Sequence, residues 1–239
     1  DMAGRIHSSS GRSAMLWLTG GSVAMGMGIW SMHFIGMLSF SLPIELGYDI
    51  SLTILSLLIA IVASGFALWL VTQADLPFSR LVLGALIMGV AIAAMHYTGM
   101  AAMRMSPGIQ YDPGWFAISL VIAIGASGAA LWIAFMLRKN TAHTVLARMA
   151  AATVMGSAII GMHYTGMAAA NFPLGSICGA KVAGVTPGWL ALVVIVVTLS
   201  IFAIALLTSV LDARLESQTS ILARSLAIAN QELTLQALQ

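Results

Sequence analysis

Met95-His96-Tyr97-Thr98-Gly99-Met100 returns almost letter for letter as Met162-His163-Tyr164-Thr165-Gly166-Met167. A looser copy stands earlier, Met32-His33-Phe34-Ile35-Gly36-Met37. Working outward, Met25-Gly26, Met88-Gly89 and Met155-Gly156 each stand seven residues ahead of the motif's first Met, so the repeat reads Met-Gly-x5-Met-His-aromatic-x-Gly-Met. The stretches between the copies repeat as well. Ala63-Ser64-Gly65-Phe66-Ala67-Leu68-Trp69 matches Ala126-Ser127-Gly128-Ala129-Ala130-Leu131-Trp132 at the same 63-residue offset that separates the first two motifs. The unit is therefore a pair of segments, one carrying the motif and one not. The third motif follows the second by 67 residues, the extra four falling in a basic loop.

The solvent for these pairs is lipid. Of 239 residues, 60% are hydrophobic and only 8% charged, against about 25% charged in an ordinary soluble domain. The mean hydropathy is +0.99. A net charge of +2, scattered along the chain, excludes a nucleic-acid surface. The lone Cys178 excludes an intramolecular disulfide and a cysteine-based zinc site.

A membrane span needs about 20 mostly apolar residues. Six stretches qualify, near 14–40, 50–72, 81–105, 115–137, 145–170 and 189–211. Proline- and glycine-bearing loops divide them. Only helices or closed barrels satisfy their backbone in lipid, and continuous runs without strict alternation read as helices. The expected fold is an all-α integral membrane protein of six transmembrane helices. Span one has a motif but no partner helix before it, and the polar lead opens on Asp1. We expect a seventh, upstream helix in the full-length protein.

Basic residues give the orientation. Arg5, Arg12, Arg80, Arg138, Lys139, Arg148, Arg214 and Arg224 lie on one side and Arg104 and Lys181 on the other, with Glu45, Asp49 and Asp112. Both ends of the chain are expected in the cytoplasm. All three motifs then sit toward the outer face, at one depth. Residues 212–239 turn polar, with Leu211, Leu215, Leu222, Leu226, Ala229 and Leu233 as a narrow apolar stripe. A stripe of that spacing suits a short coiled coil, here a dimerising connector to a cytoplasmic output domain.

On a helix, residues four apart share a face. His33 is thus beside Met37, His96 beside Met100, and His163 beside Met167. Met32, Met95 and Met162 flank the histidines, and Met25, Met88 and Met155 stack beyond them. Gly36, Gly99 and Gly166 open room for another helix or a ligand. A single methionine on an apolar helix is ordinary core. However, twelve of the sixteen methionines lie on the motif helices near the motifs, and every histidine within a span is in a motif. Intramembrane histidines are functional by default. Imidazole with thioether suits copper, above all Cu(I). Haem, with two histidines axial, and zinc rank behind it. A ligating histidine needs its second nitrogen oriented by a partner, for which Tyr97, Tyr164, Thr98 and Thr165 are candidates. Phe34 and Ile35 make the first copy different.

With these motifs, helix pairs and loop signs the chain resembles the MHYT-domain family of bacterial inner-membrane sensors. The resemblance implies seven spans, copper held by motif histidines and methionines, and sensing of O2, CO or NO. It also implies a following domain that makes or degrades cyclic di-GMP. The end, Ala229-Asn230-Gln231-Glu232-Leu233, is similar to the linker helix before a diguanylate cyclase domain. For the segment itself no enzyme is expected, because the spans lack paired carboxylates and any nucleophile–base pair. A copper channel or transporter is the alternative, since a methionine-rich set of helices also suits passage of a soft ion.

Overall fold

A computed structural model describes residues 11–137 and 144–236. The charge-bearing positions Arg5, Arg138 and Lys139 and the last three residues of the expected connector lie outside the described residues. Six helices are described: α1 (Arg12–Ser39), α2 (Ile50–Val71), α3 (Phe78–Ala101), α4 (Pro113–Met136), α5 (Thr144–Ala169) and α6 (Pro187–Gln236). Among the described residues, five of them, α1 to α4 and α6, are long and apolar enough to cross a membrane. The shortest, α2, has 22 residues, or roughly 33 Å of helix, enough for the hydrocarbon core.

The repeat is visible in the caps. Asp49 and Asp112 begin α2 and α4, and their carboxylates accept the backbone N–H of Leu52 (3.0 Å) and Trp115 (2.9 Å), satisfying donors the first turn leaves open. Their own N–H groups donate to the carbonyls that finish the following motif helices, Asp49 to Ala102 (2.7 Å) and Asp112 to Ala169 (2.8 Å). Each intervening helix is thus tied at its start to the end of the next motif helix.

Up to Val197 the chain forms one compact unit. The motif helices α1, α3 and α5 meet one another, with α2 packed on α1 and α3 and α4 on α3 and α5. Small and hydroxyl side chains face inward: Ser56, Ala60, Ala63, Ser64 and Ala67 on α2, and Ser119, Ala123 and Ser127 on α4, are buried. Large apolar ones such as Leu58, Val62, Trp69, Val121 and Trp132 face outward. Lipid rewards no burial of leucine, so membrane helices associate through close packing of small residues and hydrogen bonds. Buried Trp30 on α1 supplies one such bond, its Nε1 donating to Ser56 Oγ (3.1 Å).

The sequence places the end of the third span near 105, but α3 stops at Ala101. Arg104 takes φ 49° and the chain enters a two-residue strand. Four such strands lie in the connections after α3 and α5: β1 (Met105–Ser106), β2 (Gln110–Tyr111), β3 (Ala170–Asn171) and β4 (Ile177–Cys178). β1 pairs antiparallel with β4, and β2 with β3. Tyr48 exchanges two backbone hydrogen bonds with Val185, at 2.8 and 2.9 Å. These connections form a cap over the C-terminal ends of the motif helices. Burial pushes the Tyr48 phenol in that cap up to about 12.

Two ion pairs brace the cap, Asp49 with Arg104 (2.7 Å) and Glu45 with Lys181. The Leu52 N–H and then Arg104 hold the Asp49 carboxyl below the usual carboxylate range, and the hydrogen bond and charge of Lys181 do the same for Glu45. The folded pKa values lie under the unfolded ones. Their stabilisation is therefore present above the unfolded value of about 4 and lost as pH falls through the folded value. The effect is small because exposed pairs contribute little. Thermal midpoints followed from about pH 6 to about pH 3 should fall less for Asp49→Asn, which keeps the cap but not the charge. Equal slopes would remove Asp49 from the account.

From Thr198 the chain forms a second unit. Helix α6 runs unbroken through Leu211, where the sequence turns polar, and no Gly or Pro follows Gly188 to stop it. Leu211, Leu215, Leu222 and Leu226 are exposed.

Candidate metal centre

Each motif helix delivers its histidine to one point. His33, His96 and His163 are all buried. His33 Nδ1 lies 3.1 Å from His96 Nδ1 and 3.3 Å from His163 Nδ1. One ligand nitrogen from each of the three lies within 4.8 Å of the others. The rings stand nearly perpendicular, with centroids 4.9, 5.1 and 5.2 Å apart. The three copies therefore form one shared centre.

The same contact three times over produces this convergence. His33 Nε2 lies against Gly99, His96 Nε2 against Gly166, and His163 Nε2 against Gly36, so close that a Cβ on any of these glycines would fall under 3 Å from the ring. The interlock is cyclic: α1 seats its imidazole on α3, α3 on α5, and α5 on α1. Room for another helix beside each motif glycine was expected, and the occupant is the next motif's histidine.

The donor set fits a metal. An Nδ1 carries either a proton or a lone pair, so three of them cannot all satisfy one another at these distances. A metal about 2.0–2.1 Å from imidazole nitrogens sets neighbouring donors roughly 3.3–3.5 Å apart, close to the spacing here. All three Nε2 atoms are buried without a hydrogen-bond partner. Copper, zinc and other imidazole-binding metals match such a set.

The methionines divide into groups. Met37, Met95, Met100 and Met162 are buried, and Met32 and Met167 are half-buried. Met37, Met95 and Met100 share one core cluster with Trp30, Phe34 and Met103. Met25, Met88 and Met155 line a separate cavity, eight residues or roughly 12 Å of helix from the histidines.

Two of the four hydroxyls expected to orient the imidazoles are hydrogen-bonded elsewhere. Tyr97 Oη is hydrogen-bonded to Ser119 Oγ (2.7 Å), and Thr165 Oγ1 donates to the Gly161 carbonyl (2.6 Å). Tyr164 is 57% exposed, and Thr98 is half-buried. The residue after each histidine is turned about 100° around the helix, and its ring lies edge-on against that histidine, with centroids 4.8, 4.9 and 5.3 Å apart. In the first copy that residue, Phe34, is buried against Trp30 at 4.8 Å between centroids. Ser119, the partner of Tyr97, lay in no motif; its signal was a serine in a span whose other hydroxyl is Ser127.

Three successive segments, residues 26–84, 89–147 and 156–220, match the family model MHYT, described as a bacterial signalling protein N-terminal repeat. Each match begins at a motif-helix glycine, Gly26, Gly89 or Gly156. The chain is 66% identical over 233 residues to the bifunctional diguanylate cyclase/cyclic di-GMP phosphodiesterase MucR of Pseudomonas aeruginosa, covering 98% of this chain and 34% of that protein. It is 42% identical over 170 residues to the cyclic di-GMP phosphodiesterase NbdA of the same organism, covering 71% and 22%. It is 37% identical over 174 residues to the signaling protein YkoW of Bacillus subtilis, covering 72% and 22%. The chain thus spans between a fifth and a third of these relatives' length. No solved structure matches it. Enzymatic activity in such relatives lies in domains outside the segment described here. Three matched repeats, each bringing its histidine to one centre, make this chain a member of the MHYT family of bacterial signalling domains.

Proposed function

We propose that His33, His96 and His163 hold a copper ion through their Nδ1 atoms, and that the chain is a membrane sensor of a diatomic gas or redox signal. The observation that carries this reading is the convergence of three buried Nδ1 atoms at 3.1 and 3.3 Å. Buried methionines one or four residues from the histidines (Met37, Met95, Met100 and Met162) would offer soft sulfur, which favours copper over zinc. Copper, when bound, supplies a centre that changes valence and reacts with O2, CO or NO. The protein's part is to hold three nitrogens in a fixed triangle away from water. Rings whose Nδ1 atoms stand 3.1 Å apart leave no slot for a haem between them.

The signal passes along α6 to a cytoplasmic domain acting on cyclic di-GMP, by analogy with MucR and NbdA. The exposed leucines of α6 support pairing with a second copy as a coiled coil. Both ends of the chain face the cytoplasm, and the centre lies toward the outer side. In a copper channel the ligands would continue as a path. Here the paired connections cap one end of the motif helices, and the cavity beyond the histidines has almost no polar groups.

Metal analysis of the purified chain tests the assignment. The parent should carry about one copper per chain, and the His33→Ala/His96→Ala/His163→Ala variant less than a tenth of that. Copper retained by the variant, or zinc in the parent after copper has been supplied, would sink it. Copper appearing inside sealed vesicles would favour transport.

A further inference from the structure

We infer that the cavity on the N-terminal side of the histidine centre binds a small uncharged apolar molecule, of which a dissolved diatomic gas is the smallest. It is a partly open pocket with room for about 150 Å³. Met25, Met88 and Met155, the same repeat position on α1, α3 and α5, line it together with Ala126, Ser127 and Leu131 of α4. Apolar cavities of roughly this volume stay dry and take up xenon or benzene.

The lining decides the chemistry. Ser127 is its one polar side chain, 3% exposed, and its Oγ has no hydrogen-bond partner. A buried water needs two to four polar partners, so one hydroxyl does not hold it. An anion or ammonium ion would find no counter-charge and would bear a heavy desolvation penalty. A single weak hydrogen bond in an apolar chamber instead suits a molecule with little polarity. Methionine side chains adapt to irregular occupants, and three of them from three helices let the chamber close around guests of different size.

The site lies on the same three helices as the histidines, reaching from Ile29, Ile92 and Ile159, roughly 6 Å along them, to the three methionines at about 12 Å. An occupant therefore touches each helix that the interlock joins. Binding needs no metal; only its part in signalling rests on the copper-sensor reading.

The experiment uses the metal-free chain in nanodiscs with [13C]methyl methionine, under xenon pressure, read by NMR. The Met25, Met88 and Met155 methyl signals should shift saturably, and those of Met37 and Met100 should not. Ala126→Leu, which fills the chamber, should abolish the shifts and leave the Met37 and Met100 signals in place. Should that variant fail to fold, Ala67→Val fills it more gently and should weaken xenon binding at least threefold. Three unresponsive methyls, as a chamber already filled by an acyl chain would give, overturn the proposal. So does a shift of all methionines alike, or a response of Met25, Met88 and Met155 to Cu(I) and not to xenon. None of these outcomes bears on whether the histidines hold copper.

Discussion

Gly99→Ala should remove most metal binding from a chain that still folds into its helices. The added Cβ would fall under 3 Å from His33 Nε2, and both residues are buried. The ring cannot clear the new methyl by turning in place. Phe34, His96 and His163 surround it at centroid distances of 4.8, 4.9 and 5.2 Å. Overpacking of this kind costs about 1–3 kcal/mol, relieved by moving the imidazole and its Nδ1 out of the triangle. Copper retention should fall at least tenfold, with helicity by circular dichroism unchanged. Gly36→Ala and Gly166→Ala should behave alike, since they crowd His163 and His96. Gly161→Ala, on the same helix as Gly166 but with nothing within 4 Å of its new Cβ, should keep the parent's copper. A Gly99→Ala chain that binds as the parent does would refute the seating of one histidine by the next helix.

The largest stability effect is expected at Gly89, with Gly26 beside it. A Cβ at Gly89 would lie 2.5 Å from Ile124 Cα, and one at Gly26 2.6 Å from Ile61 Cα. These obstacles are backbone, and no rotamer change clears them. The helices must separate along the seams α3–α4 and α1–α2, where small residues let them approach. Gly89→Ala should cost about 3 kcal/mol, at the top of the overpacking range. The third copy reverses the sign. Gly156 occupies the same repeat position with nothing within 4 Å, so Gly156→Ala should gain up to about 1 kcal/mol of helix propensity. Unfolding in mixed detergent would separate the two; equal midpoints would show that the repeats are not packed as described.

Much of the centre was legible because helical spacing converts directly into faces. The His-to-Met steps, the glycine three residues after each histidine and the motif's recurrence on alternate spans all implied three imidazoles at one depth, with room beside them. Which residues fill that room was not legible, because 36→163, 99→33 and 166→96 are contacts between distant segments. The hydroxyls of Tyr97 and Thr165 misled for a related reason. They follow the histidine in sequence, but one or two helical positions turn a side chain off the centre, where Ser119 and the Gly161 carbonyl were nearer. The paired strands were invisible because two residues have no periodicity, and they ended α3 at Ala101 where apolar composition continued to Met105. Met25, Met88 and Met155 shared a face with the motif residues in projection. Only depth along the axis assigns them to a different chamber.

The cyclic seating of the imidazoles counts. One helix pair offers a histidine with nowhere to rest and a glycine with nothing to receive. Two pairs satisfy one match and leave one of each over. Three is the smallest number at which every histidine has a seat and every seat a histidine. A chain shortened by one repeat would therefore expose a mismatched edge, which another molecule's edge could complete. Conversely, a single pair expressed alone has a way to rebuild the centre: three copies, closing as a homotrimer.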